Sequence, residues 1–485
     1  MVKHVLFARR LGLSAITSFL VSFGGLILIP ILTKTISTAD YGSWSLILVT
    51  TALVPSLVTV GLQFSVIRFL PTLNEKQDIR ELFYSIGFVI LFTSLITSGL
   101  FLLFSRQIAA SFFNGDLIVA LLIAPNVFLA CLTGFLLNCF RAWQQMKRYS
   151  ALSILQAYLN VTIIAVFVYS GHGLDGAVIG LLLQQLIVFF VSAYIIVQRI
   201  GIAVPKLTNI RMYIGFGWPL VLSDMSSWVV NSSDRYLIGI ILGTVAVGYY
   251  SPAYSLGGAV ALVSSPFIIM LMPVLSKLYD ENNLGDARTI LKYSLKYYSA
   301  VAIPSFFVLS ILAKPLLIVL STQQIATNGY LVTPFVAAAA LLLGAYEVLL
   351  QAIAMKKKTA LLGSIWVISA AMNFGLNLIL IPYMGIIGAA VTTFLAFACA
   401  FVLTTVYSRR YFAFDVNGWF ILKSVSASLA VSAFLLVGTP AGLLSILLSI
   451  GFSTVIYLSI LFVLKGFTVE EVKFFYGVLK GSSKI

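Results

Sequence analysis

The sequence predicts an all-α integral membrane protein of about fourteen transmembrane helices, built as two pseudo-symmetric six-helix lobes with an additional C-terminal helix pair. Three observations predict it: apolar runs long enough to cross hydrocarbon, basic residues gathered into alternate loops, and an internal repeat.

The apolar runs come first. Of the 485 residues, 60% are hydrophobic and only 9% charged, whereas a soluble domain carries roughly a quarter charged residues. Lipid offers no water to the backbone, so a spanning chain is helical or a closed barrel. Barrel strands would alternate apolar and polar residues; these runs are apolar on nearly every side. The expected spans are 11–32, 44–66, 84–105, 118–140, 150–170, 176–198, 214–238, 245–272, 299–320, 332–354, 360–381, 386–407, 421–438 and 442–464. Leu11 to Leu32 reads as a retained first helix, because the basic N-terminus is followed by no small-residue cleavage site.

Charge sets the orientation. With both termini in the cytoplasm, 26 of the 30 Lys and Arg residues fall in cytoplasmic segments, and only Lys34, Arg106, Arg235 and Lys314 fall elsewhere. The net charge of +15 is thus spread over short loops rather than gathered into a patch, which excludes nucleic acid as a partner. The expected location is the cell membrane, with multiple passes. Cys131, Cys139 and Cys399 lie inside spans and read as small packing residues. His4 and His172 are the only histidines, and no metal-binding or nucleophile constellation is present in the sequence.

The repeat follows. Thr38-Ala39-Asp40-Tyr41-Gly42-Ser43-Trp44-Ser45 parallels Thr244-Val245-Ala246-Val247-Gly248-Tyr249-Tyr250-Ser251 at an offset of 206. Met146 to Leu152 parallels Met355 to Leu361 at 209, and Gly173 to Ala177 parallels Gly385 to Ala389 at 212. Three matches in order describe a duplicated six-helix unit. Six is even, so both copies share one orientation, as in transporters whose lobes rock about an axis along the membrane normal. The expected domains are an N-terminal lobe (1–205), a C-terminal lobe (206–412), the extra helix pair (413–464) and a cytoplasmic interfacial tail (465–485). Thr468-x-x-Glu471 is a capping box opening that tail, where Val469, Val472, Phe475, Tyr476 and Leu479 share one side.

The run Asp234 to Gly243, followed by Val247-Gly248-Tyr249-Tyr250, resembles the seventh-to-eighth-helix signature of polysaccharide flippases. Thr33-Lys34, Tyr41-Gly42 and Gly61 to Arg68 resemble the first two helices of the same group, the O-antigen and exopolysaccharide translocases of the multidrug/oligosaccharidyl-lipid/polysaccharide exporter superfamily. The resemblance covers about Arg9 to Arg410, and the terminal pair is similar to fourteen-helix members. It implies movement of a polyprenyl-diphosphate-linked oligosaccharide from the cytoplasmic to the outer leaflet, without a cofactor. Partners are then the lipid-linked substrate, membrane lipid, a coupling H+ or Na+, and polysaccharide-assembly proteins.

An ionised group in hydrocarbon costs a few kcal/mol, so such residues mark candidate sites. Asp224, Asn231 and Arg235 fall along one face of the seventh span, flanked by Ser227 and Trp228. Arg235 is the candidate for the diphosphate or an acidic sugar, since a guanidinium matches phosphate oxygens as a fork, and Asp234 would hold Arg235 in place or compete with the substrate. The structural alternative is a pair that fixes the end of the helix. Lys34 and Arg68 are further substrate candidates, against interfacial snorkelling. Glu347, with Gln351 one turn on, and Asp224 are ion-coupling candidates, against interhelical hydrogen bonding. Asn126, Asn138, Gln156, Asn160, Gln184, Gln185, Asn373 and Asn377 are further polar residues in the spans, and the pairs Gln156/Asn160 and Asn373/Asn377, each one turn apart, suit either sugar hydroxyls or helix–helix bonds. In the repeat register Arg235 corresponds to Ile29 and Asp234 to Leu28, so any site is asymmetric.

Three alternatives remain open. A peptidoglycan-precursor flippase shares the helix count, but Leu11 to Leu32 lacks the basic residues expected there. A cation-coupled small-molecule exporter lacks the last pair. A membrane glycan polymerase needs a sizeable extramembrane loop, and the longest here, Arg68 to Tyr84 and Ser276 to Tyr298, are short.

Overall fold

A computed structural model describes residues 2–438, 440, 442–468 and 471. Among the described residues the regular structure is helical, with no strand. The first stretch holds α1 (Val2–Thr33), α2 (Thr38–Val58), α3 (Leu62–Phe69), α4 (Lys76–Leu103), α5 (Ser105–Phe112) and α6 (Leu117–Ala142). Next come α7 (Met146–Phe167), α8 (Gly173–Ile200), α9 (Ile210–Leu242), α10 (Thr244–Gly258), α11 (Ser265–Asp280) and α12 (Leu284–Ile311). The chain continues through α13 (Ala313–Leu320), α14 (Gln323–Gly329), α15 (Val332–Met355), α16 (Thr359–Tyr411), α17 (Gly418–Val437) and α18 (Leu443–Val463). Side-chain caps start several of them: Ser37, Asp116, Asn283 and Asn417 each accept the backbone N–H three residues on.

Ten described helices are long and apolar enough to cross a bilayer, and two of them, Met146–Ile200 and Ala360–Tyr411, are of double length at 55 and 52 residues. A straight 55-residue helix would reach about 80 Å, far beyond a hydrocarbon core of roughly 30 Å. Both instead fold back at glycine. Gly173 has φ 54° and ψ −137°, and Gly385 has φ 62° and ψ −143°, a region essentially closed to residues with a Cβ. These two glycines are partners in the repeat, 212 residues apart. The matched sequence therefore carries a matched backbone reversal. The remaining expected spans, 214–238 and 245–272, fall outside the ten: the first lies in α9, which carries Asp224, Asp234 and Arg235, and the second is interrupted between α10 and α11.

Two expectations are corrected. Spans 44–66 and 245–272 are not continuous: a turn at Thr59 to Gly61 separates α2 from α3, and a 3-10 stretch (Ala259–Ser264) separates α10 from α11. The expected loop from Ser276 to Tyr298 is mostly helix. Ala287, Leu291, Leu295 and Tyr298 recur at helical spacing and are buried, so an apolar stripe carries α12 past the expected membrane boundary.

The chain forms two compact units, each discontinuous in sequence. The first holds Met1–Ser255, Leu320–Gly329 and Gly363–Ala396. In it α6 packs against α4 and α8, α7 against α1 and α8, and α2 against α6 and α9. Cys131 and Cys139 are buried packing residues on α6. Asn126 donates to the Leu122 carbonyl at 2.8 Å and accepts from Gln185 at 3.5 Å; Asn377 donates to Asn373 at 3.1 Å and accepts from Thr392 at 2.5 Å. The Gln185–Asn126 bond joins α8 to α6, and the Thr392–Asn377 bond joins the two arms of α16. Phe19, Phe92, Leu95, Val166, Phe190 and Tyr194 stay exposed, as a lipid-facing surface requires.

The second unit holds Leu256–Val319, Tyr330–Leu362 and Phe397–Ile485. Its centre is α12, packed against α15 and α17, with α18 on α17. The Tyr457 hydroxyl donates to the Ala300 carbonyl at 2.9 Å and meets Ser424 at 2.7 Å, tying the terminal pair to α12. Beyond it the capping box forms: Glu471 accepts from the Thr468 N–H at 2.7 Å, and Thr468 Oγ1 from the Glu471 N–H at 3.2 Å. The rest of the expected interfacial tail lies outside the described residues, apart from its first residues. Glu471 also takes both of its carboxylate oxygens to Lys296 Nζ, at 2.7 and 2.8 Å, and Lys296 sits 5.1 Å from the Phe420 ring. Both partners are buried.

Burial pushes the Glu471 carboxyl up, but hydrogen bonds from Lys296, Thr468 and Tyr297 outweigh it and hold the group below the usual carboxylate value. That stabilisation is present above the unfolded value near 4.3 and is lost as pH falls through the lower folded value. Glu471→Ala leaves a buried ammonium unpaired and should destabilise by about 3 kcal/mol, read as a lower thermal midpoint in detergent. Glu471→Gln should flatten the acid limb of the midpoint-versus-pH curve.

Candidate functional site

The site grows from a close approach of two helices. A Cβ on Gly42 of α2 would lie 1.9 Å from the Thr244 carbonyl oxygen, and one on Gly248 of α10 would lie 2.0 Å from the Thr38 carbonyl oxygen. Only glycine lets the backbones come this near. The contact is reciprocal in the repeat register, since Thr38 pairs with Thr244 and Gly42 with Gly248. Ser45 and Ser251, also repeat partners, share a hydrogen bond of 2.7 Å between their hydroxyls. Equivalent residues that touch each other lie on a local two-fold axis.

Beside this axis, α9 presents its charged pair. Asp234 is fully buried and Arg235 is 9% exposed. The Asp234 carboxylate accepts the Arg235 N–H at 2.8 Å and the Tyr250 hydroxyl, while Arg235 Nη1 reaches it at only 3.4 Å. Arg235 Nη1 also donates to the Asn231 carbonyl at 2.9 Å, and the guanidinium lies 4.3 Å from the Tyr254 ring centroid. Adjacent residues on a helix point apart. The pair therefore closes through the backbone and through Tyr250 rather than as a fork.

Arg235 and Asn231 line one cavity of about 220 Å³. Ser232 of α9, Ser251 and Ser255 of α10, and Tyr41, Trp44 and Ser45 of α2 complete its polar and aromatic wall. One cation and several hydroxyls in an otherwise apolar setting suit an oxyanion. The volume suits a head-group fragment rather than an oligosaccharide.

The other expected site residues lie apart from this cavity. Asp224 accepts the Ser56 hydroxyl from α2. Lys34 and Arg68 are exposed. Asp40 pairs with Ser37 at 2.7 Å in the cap of α2. Glu347 is half-buried on α15, and its carboxylate takes no hydrogen bond from a described residue, although its backbone carbonyl accepts from Gln351 at 3.3 Å. Sequence reasoning missed Tyr254 and the serine wall. The signal lay in the repeat, because residues matched across it, such as Ser45 and Ser251, are those that meet on the axis.

A helical bundle with ten described helices long and apolar enough to cross a bilayer defines a multi-pass membrane protein. Its structure is similar to that of the lipid II flippase MurJ in an inward closed conformation, with a TM-score of 0.76 at 16% identity over 94% of this chain and 98% of that one. The Haloferax volcanii protein named "Probable flippase AglR" is 25% identical over 382 residues, 76% of this chain and 77% of that protein. A second Haloferax volcanii protein, "Probable low-salt glycan biosynthesis flippase Agl15", is 23% identical over 53% of this chain and 55% of its own length. Residues 31–327 match the model of the polysaccharide biosynthesis protein family. The chain belongs to that family.

The glycine contact is testable. Gly42→Ala and Gly248→Ala each force α2 and α10 apart and should destabilise by about 1–3 kcal/mol, measured as a fall in thermal midpoint. Ser45→Cys combined with Ser251→Cys should form an intramolecular disulfide under mild oxidation, seen as a reductant-sensitive gel shift.

Proposed function

We propose that this protein moves a polyprenyl-diphosphate-linked oligosaccharide from the cytoplasmic to the outer leaflet of the cell membrane, for cell-surface polysaccharide assembly. The single observation that carries the reading is Arg235, a buried guanidinium lining a cavity inside an otherwise apolar bundle. Family membership and relatives named as flippases support it. In this reading no bond is made or broken. The repeats 1–205 and 206–412 alternate access about the axis marked by Ser45 and Ser251, and both termini are cytoplasmic.

Arg235 takes the diphosphate, with Asp234 and Asn231 setting its position. Lys34 and Arg68 supply exposed positive charge outside the cavity. Asp224, bonded to Ser56, positions α9 against α2 or carries a coupling ion. Glu347, whose carboxylate lacks a described partner, is the second candidate for that ion. A peptidoglycan-precursor lipid is the second reading, favoured by the likeness to the MurJ fold over nearly the whole chain; it presents the same diphosphate chemistry to Arg235.

Reconstituted liposomes test these roles, with lipid-linked oligosaccharide scored by its accessibility to an impermeant glycosidase. Hydrogen bonds to a charged group are worth about 1.5–3 kcal/mol, so Arg235→Ala should slow translocation by roughly tenfold or more, and Arg235→Lys should restore it only in part. Wild-type rates in Arg235→Ala would remove the guanidinium from the mechanism. Replacing the oligosaccharide lipid with a peptidoglycan-precursor lipid separates the two substrate readings. Glu347→Gln should abolish the dependence of rate on a pH gradient; an unchanged dependence rules out Glu347 as the proton carrier.

A further inference from the structure

A second cavity of about 280 Å³ lies in the first compact unit, walled by α2, α6, α7 and α8. Its polar lining is Gln156, Gln184, Gln185, Thr133 and Thr51, and no charged side chain lines it. Gln184, Gln185 and Thr133 are only 1%, 5% and 2% exposed. Gln184 Nε2, Gln185 Oε1 and Thr133 Oγ1 nevertheless have no hydrogen-bond partner among the described residues. The other end of the Gln185 amide is anchored, since Nε2 donates to Asn126 at 3.5 Å. The side chains lining the cavity thus include an amide with an unpaired donor, an amide with an unpaired acceptor and an unpaired hydroxyl, each of these atoms buried.

Burying unpaired polar groups costs free energy, and such groups ordinarily find a partner. A partner here must be uncharged, because nothing lining the cavity would offset a charge. It must also offer donors and acceptors in quantity, and an apolar face toward Pro55, Leu137 and Leu181. A sugar ring has this character: hydroxyl or acetamido groups around its edge and C–H bonds on its faces. The cavity is near the lower end of ligand-site volumes, roughly 300 Å³. Helix α2 serves both cavities, with Tyr41, Trp44, Ser45, Leu48 and Ala52 lining the Arg235 side and Thr51 and Pro55 lining this one.

We propose that this glutamine-lined cavity is a binding subsite for one uncharged sugar residue of the transported molecule. The inference rests on the translocation reading above and assigns that reading its sugar-recognising side chains: Gln184 donates, Gln185 accepts, and Thr133 does either.

The test is equilibrium binding of two probes to the purified full-length protein: a short-chain polyprenyl diphosphate, and the same molecule carrying one N-acetylhexosamine. Two or three added hydrogen bonds, of which one survives as net gain, should make the sugar-bearing probe bind about tenfold tighter. The double variant Gln184→Leu with Gln185→Leu should lose that preference while binding the bare diphosphate as before. Gly134→Leu serves as a second variant that removes no polar group. Gly134 lines the cavity and has nothing within 4 Å of an added Cβ, so the new side chain fills the space and should also abolish the preference. Equal binding of both probes by the wild type, or a preference retained in both variants, overturns the subsite and leaves the flippase reading standing. Binding of neither probe by the wild type overturns both.

Discussion

The backbone contact between α2 and α10 is the constraint on which the site depends. Gly42 against Thr244 and Gly248 against Thr38 bring two helices closer than any side chain permits. Between apolar helices in lipid there is no hydrophobic gain from association, so close packing and interhelical hydrogen bonds must supply the attraction. The Ser45–Ser251 bond adds to it at the centre of the contact. With α2 and α10 locked there, Tyr250 lies where its hydroxyl reaches Asp234, and Tyr254 lies where its ring meets Arg235.

A guanidinium in such a place has to be made tolerable. Water-exposed arginines are stabilised by hydration; Arg235 is buried and has instead a carboxylate, a backbone carbonyl and an aromatic ring. Each is a partial substitute. The carboxylate is engaged chiefly with other donors, so it neutralises the cation without occupying its full fork. That division leaves a cation that is stable in a bundle yet still able to face an anion from the cavity side.

Much of this was legible from residues alone. The all-helical membrane fold followed from composition, and the duplication followed from three short matches whose meaning the structure makes physical in Gly173 and Gly385. Arg235 and Asn231 were singled out because charge and amide are costly in hydrocarbon, and they do share a cavity. The breaks after α2 and α10 were not legible: both stretches are as apolar as a continuous span, and the turn is set by packing between elements distant in sequence. The helical extension of α12 was obscured by Lys292 and Lys296, which read as loop charges. Lys296 is buried there because Glu471, 175 residues away, neutralises it. Asp224 shared a predicted face with Arg235, but its partner Ser56 comes from another helix and no periodicity in α9 reveals it.

The Asp234–Arg235 doublet has an electrical consequence. Its two unit charges are opposite and 3.4 Å apart, so together they form a short dipole with no net charge. Carrying one unpaired elementary charge through a potential of 100 mV involves work of about 2.3 kcal/mol; displacing this doublet along the same path involves almost none. Resting potential therefore acts hardly at all on the Asp234–Arg235 doublet itself, whatever it does to other charges on α9.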